Sequence, residues 1–320
     1  MNNFKKIGLT ALAASLVSVS AHAGEMSVAG SASVGVDQHS GNAGGKNLTM
    51  GNQLTFTGGG ELDNGLNVAL SFVLDQGDGV TATTAPFDSH SITISSDAMG
   101  TIVIAGEGAG NAQSALDTTA AGDIWDNGFK SVVSGTETAY VGLVGSDATS
   151  NKAINYTLPT LMDDLSVSVS YNMGAAGVES STAYGVTYTG VEGLSVSYAT
   201  GDDSSVGSIN EATMLKGSYA YGPVTVAYSD YEYDAQTDSA DDEMTSYKLS
   251  YTVSDELSVS YGQEEITTNS LSAEYEMVSA SYTAGGMTIT ASMSDATDRD
   301  GTTTATMDNE RWALGASFAF

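Results

Sequence analysis

Beyond residue 24 the chain alternates apolar and polar residues with a period of two along most of its length, the pattern of β-strands with one greasy and one wet face. It is clearest in Leu165 to Met173 (LSVSVSYNM), Leu194 to Ala199 (LSVSYA), Val224 to Asp230 (VTVAYSD), Leu257 to Gly262 (LSVSYG) and Met287 to Ser294 (MTITASMS). Leu, Val, Ile, Met and Tyr take one face of each, while Ser, Thr and Ala take the other. No stretch sustains a 3.6-residue period long enough to predict a long helix.

The connections come in two alternating sizes. Short ones fall at Asp63 to Gly65, Asp97 to Gly100, Pro159 to Asp164, Gly190 to Gly193, Gly222-Pro223, Ser254 to Glu256 and Ala284 to Gly286, several with Asn-Gly, Gly-Gly or Gly-Pro turn chemistry. Between them lie longer, mostly acidic stretches at about 38–47, 75–88, 106–150, 174–180, 200–209, 234–242, 264–268 and 295–307. Seven short turns and eight long loops predict about sixteen strands. A soluble sandwich has no reason to gather every tight turn at one end and every long loop at the other, whereas outer-membrane barrels do.

The small polar face agrees. Ser166, Ser168, Ser170, Ser195, Ser197, Ser258, Ser260, Thr288, Thr290 and Ser292 would make a poor dry core, because buried hydroxyls need partners. Facing water, they make a channel wall. Tyr171, Tyr198, Tyr228 and Tyr261 recur on the opposite, apolar face, where an interfacial aromatic set belongs.

The N-terminus changes the picture of the chain's location. Lys5 and Lys6 precede an uncharged apolar stretch from Ile7 to about Val19, and Ala21-His22-Ala23 gives the small-x-small pattern of a cleavage point, so residues 1–23 are expected to be a removed signal peptide and 24–320 the mature domain. The full chain holds 39 Asp+Glu against 9 Lys+Arg, a net charge of −30, which becomes −32 without the two segment lysines. Such acidity repels phosphate backbones, which argues against a nucleic-acid partner. The chain has no cysteine, which excludes disulfides and thiol chemistry. The acidic residues are expected to gather in the long loops and to leave the strands nearly uncharged.

With this signal segment, about sixteen amphipathic strands, an oversized loop between predicted strands 5 and 6, and a terminal strand RWALGASFAF ending in Phe320, the chain resembles the Gram-negative general porins. The resemblance implies an all-β, transmembrane, antiparallel up-and-down barrel with short periplasmic turns, long extracellular loops and a third loop folded into the pore. It further implies a homotrimer in the outer membrane, contacts with outer-membrane lipid and lipopolysaccharide, and recognition of the C-terminal strand, with Phe318 and Phe320, by the barrel-assembly machinery. As the third loop, residues 106–150 supply Glu107, Asp117, Asp123, Asp126 and Glu137 as candidates for the acidic side of a constriction. Strand parity turns Lys216, Lys248 and Arg311 inward as candidates for the basic side. Arg299 and Arg311 are the only arginines, fewer than the family commonly sets against its acidic loop.

No G-x-S-x-G elbow is present, and the mature chain has only His39 and His90, so no enzymatic activity is expected. Asp298-Arg299-Asp300-Gly301 and Asp238 to Glu243 attract cations without matching an EF-hand loop. No cofactor is expected, with room for diffuse Ca2+ or Mg2+ at the acidic loops. The function these readings predict is passive diffusion of ions and small hydrophilic solutes, with cations preferred; the alternative is a structural or adhesive surface β-protein without channel activity.

Overall fold

The computed structural model describes residues 26–40, 45–75, 89–108, 110–114, 116, 118–129, 152–174, 179–202, 210–235, 241–268, 271–299 and 308–320. The expected signal peptide, Asp117 and Glu137 lie outside these residues, as does the side chain of Glu107.

Sixteen strands form, in chain order β1 (Met26–His39), β2 (Gly45–Glu61), β3 (Asn67–Asp75), β4 (Ser89–Ser96), β5 (Gly100–Glu107), β6 (Ala153–Thr157), β7 (Leu165–Asn172) and β8 (Ser181–Tyr188). They continue as β9 (Leu194–Asp202), β10 (Glu211–Tyr221), β11 (Val224–Asp234), β12 (Asp242–Thr252), β13 (Leu257–Thr268), β14 (Leu271–Ala284), β15 (Met287–Thr297) and β16 (Asn309–Ala319). A single short helix, α1 (Ile124–Gly128), is described between β5 and β6. Each strand pairs antiparallel with its neighbours in sequence, and β1 closes on β16, so the sheet is a closed barrel with no free edge. The seam is completed at the chain end, where the amides of Gly30 and Phe320 donate to each other's carbonyls at 2.8 and 2.9 Å.

Parity behaves as the alternation predicts. Tyr171, Tyr198, Tyr247, Tyr261, Val226, Leu249, Leu314 and Phe318 are exposed on the outside, where lipid replaces water as their solvent. Inside, hydroxyls meet across strands: Thr187 with Ser197 at 2.8 Å, Ser260 with Ser279 at 2.8 Å and Thr283 with Thr288 at 2.9 Å.

Two expectations are corrected. The stretch 264–268 is strand, because β13 runs to Thr268 and only residues 269–270 separate it from β14. The strands also carry much of the acidic charge. Above the apolar band, outward-phase positions hold Asp230, Glu232 and Asp234 on β11, Glu243 on β12, Glu265 on β13, Glu274 and Glu276 on β14, Asp295 on β15 and Glu310 on β16. Register sets Glu232 opposite Glu243, Glu265 opposite Glu274, and Asp295 between Glu276 and Glu310. Loop-like acidity in sequence is therefore, in three dimensions, a collar around the outer face of strands that extend past the apolar band.

Candidate functional site

The segment 110–129 between β5 and β6 lies against the inner wall, and a row of wall side chains receives its backbone. The Ala112 amide donates to Ser170 Oγ on β7 (3.1 Å), Ala120 to Ser229 Oγ on β11 (2.8 Å), and Ala121 to Ser246 Oγ on β12 (2.9 Å). Gln113 Nε2 donates to the Ala212 carbonyl on β10 (2.9 Å), and Lys216 Nζ to the Thr118 carbonyl (2.6 Å). Glu264 on β13, fully buried, accepts from the Thr119 hydroxyl and from the Trp125 amide at 3.1 Å. At the far end Arg299 Nη1 donates to the Phe129 carbonyl at 3.3 Å.

Sterics and apolar packing complete the bed. A Cβ on Gly185 would lie 2.4 Å from the Ala112 carbonyl oxygen, and one on Gly262 would lie 2.8 Å from Ala121 Cβ, so the loop approaches this closely only where the wall has no side chain. Leu116, Ile124, Trp125 and Phe129 bury themselves against inward-phase Met214, Tyr231, Met244, Ile266 and Tyr275. The inner wall thus has two halves. Along β12, inward positions run from Ser250, Lys248 and Ser246 to Met244, and along β13 from Ser258 and Ser260 to Glu264 and Ile266, changing from hydroxyl to apolar where the loop covers them. That change of inward chemistry toward the loop end is the sequence signal by which this bed could have been found.

Among the candidate acidic residues, Asp123 is half-buried and closes a local ring with Thr119. Its Oδ1 accepts the Thr119 amide at 2.9 Å, and its own amide donates to Thr119 Oγ1 at 2.8 Å. Burial raises the Asp123 pKa above its ordinary value, with the Asp126 charge adding to the shift, while the Thr119 hydrogen bonds and the Lys216 charge pull the other way. Asp126 sits half-buried on α1.

The candidate basic residues do not form one bank opposite the loop. Lys216 stands at the loop itself, bound to its backbone. Arg311 is tied to β1, its Nε donating to Asp37 Oδ2 at 3.2 Å, and the same carboxylate oxygen meets His39 Nε2 at 3.0 Å. His39 in turn presents its ring to Phe129, with centroids 6.3 Å apart and planes at 83°. Lys248 is half-buried, in phase with Ser246. Sequence reasoning missed Glu264, Asp37, His39 and the anchoring role of Arg299, which is 2% exposed despite lying in a stretch read as a solvated acidic loop. Among the described residues no three His, Asp or Glu side chains converge as a metal would need.

A closed barrel of this strand number, apolar outside, hydroxyl-lined inside and crossed by an inward loop, defines a β-barrel channel of the bacterial outer membrane. The chain belongs to the Gram-negative porin family, whose model matches residues 8–273. It is an outer-membrane porin. Among solved structures, the anion-selective porin of Comamonas acidovorans aligns with a TM-score of 0.69 at 14% identity, over 92% of this chain and 99% of that one. OmpT of Vibrio cholerae in a trimer form aligns at 0.67 and 15% identity, over 93% and 100%. A mutant of the Rh. blastica porin aligns at 0.66 and 13%, over 92% and 100%. These likenesses extend over whole barrels at low identity and therefore concern the fold. No curated protein matches the chain in sequence.

Proposed function

We propose that the barrel is a water-filled channel through which ions and small hydrophilic solutes diffuse passively, without a catalytic step, and that segment 110–129 is its constriction. The observation that carries this is the row of wall side chains, from Ser170 to Arg299, that holds an internal segment against the inner face. A segment held this way narrows the bore without occupying it at random. Purified protein in a planar bilayer should produce discrete conductance steps; folded protein that inserts and gives none refutes the reading, and leaves a structural or adhesive surface role.

We further propose a modest cation preference. It is supported by Asp123 and Asp126 on the loop and by the pairing of Arg311 with Asp37, since charges lining a pore enrich their counter-ions. The assembled form we propose is a homotrimer, as the Vibrio cholerae OmpT trimer suggests by its fold, set in outer-membrane lipid and lipopolysaccharide. Phe318 and Phe320, at the closing seam, are proposed as the signal read by the barrel-assembly machinery.

A further inference from the structure

We propose that a slot between the base of the inward loop and the wall of β6 to β8 is a transit site for small uncharged solutes rich in hydroxyl groups. The proposal rests on the channel reading above and names a solute class for it. The slot has a volume of about 180 Å³. Its floor is a continuous set of inward positions on three adjacent strands, Asn155, Thr157, Ser166, Ser168 and Thr187. Register makes the set contiguous, with Thr157 opposite Ser168 and Ser166 opposite Thr187.

None of the described residues lining the slot is charged. An ion crossing this patch would gain no counter-charge, whereas a neutral molecule with several hydroxyls would meet donors and acceptors on three strands. The roof supplies a mixed surface, since Ala112 and the buried Leu116 give it apolar area beside the amide of Asn111. A hydroxyl-bearing floor under a partly apolar lid suits a polyol, which has polar edges and a C–H face. Asn155, on the floor, has an Oδ1 that is enclosed with no hydrogen-bond partner among the described residues. An amide acceptor left in that state is costly, and rotation about its terminal torsion presents either end of the group to the slot.

The geometry is held in place in advance. The Ala112 amide is fixed by Ser170 Oγ, and the roof comes down onto the wall at Gly185, where a side chain would collide with the Ala112 carbonyl. A preformed slot loses little ordering entropy on binding, and a pore site must be weak enough to release what it admits.

The test is single-channel recording with glucose and, as a charged comparison of similar size, gluconate. Glucose should lower the ionic current saturably, with half-effect on the order of 10 mM, beyond the linear fall that viscosity imposes; gluconate, exchanged for chloride at constant total salt, should change the current only linearly. Asn155→Leu combined with Ser168→Val should raise the glucose half-effect concentration about tenfold, in protein whose heat-modifiable migration shows a formed barrel. If that variant fails to assemble, the comparison of glucose with gluconate on the unaltered protein decides alone. A linear change with both solutes in a conducting channel overturns the slot and leaves the channel reading standing; absence of ionic steps overturns the channel reading itself.

Discussion

A carboxylate enclosed in a barrel wall is tolerable only when donors surround it, and Glu264 receives the Thr119 hydroxyl and the Trp125 amide. Glu264→Ala would leave both loop donors facing a void, at a cost of about 1–3 kcal/mol for each donor left unsatisfied. Single-channel conductance should rise and its noise increase as the loop loosens, while Glu264→Gln, which keeps an acceptor for Trp125, should fall between the two; identical traces for all three proteins would remove Glu264 from the anchoring row. Asp123 gives a pH prediction. Its pKa is raised, chiefly by burial, so on acidification it loses its negative charge at a higher pH than an ordinary aspartate does. Cation selectivity measured as zero-current potential in a KCl gradient should therefore begin to fall while exposed carboxylates are still ionised, and Asp123→Asn should abolish that early part of the fall.

At the scale of elements, alternation settled which residues face lipid, and the seven short turns stand where the punctuation put them. The loop ends were harder to read. On β11 the outward phase runs Val224, Val226, Tyr228 and then Asp230, Glu232 and Asp234, so the same strand passes from apolar to acidic without a break in its backbone pairing. Composition alone reads that change as the start of a loop, because polarity reports the solvent and not the hydrogen-bond ladder. Like charges directly opposite in register oppose strand pairing. Glu243→Lys, facing Glu232, should therefore stabilise the barrel by on the order of a few tenths of a kcal/mol, as befits an exposed pair, and raise the temperature of the heat-modifiable transition accordingly. The loop bed makes an opposite prediction. Gly262→Leu would drive a side chain into Ala121, so the barrel should still form but with the loop displaced and the conductance changed; an unaltered conductance would mean that the loop does not rest there.

For the whole molecule, the formal charge of −30 is a poor guide to what an ion meets in the bore. Asp230, Glu232, Glu243, Glu265, Glu274, Asp295 and Glu310 stand on the outer surface, with the wall between them and the bore, where physiological salt screens exposed charges over a Debye length of about 8 Å. The zero-current potential should accordingly be modest and cation-directed, far short of ideal selectivity; a strongly anion-directed potential would refute the proposed preference. Closure depends on the chain end, where Phe320 is locked to Gly30. Deletion of Phe320 should reduce the yield of heat-modifiable barrel in outer-membrane fractions.

The sequence by itself determined the strand count, the outward and inward faces and the site of the long loop, because period-two alternation and turn chemistry are local properties that each strand carries alone. It also turned Lys216 and Arg311 inward by parity. Where those side chains go was decided only by the tertiary structure. Lys216 reaches Thr118, 98 residues away, and Arg299 reaches Phe129, 170 residues away. Such partners are set by curvature and closure of the sheet, which bring β10 and the residues just after β15 to the same enclosed loop. Ser170, Ser229 and Ser246 look in sequence like any other wall hydroxyl, yet each holds a loop amide, since a hydroxyl's role depends on whether water or backbone stands opposite it.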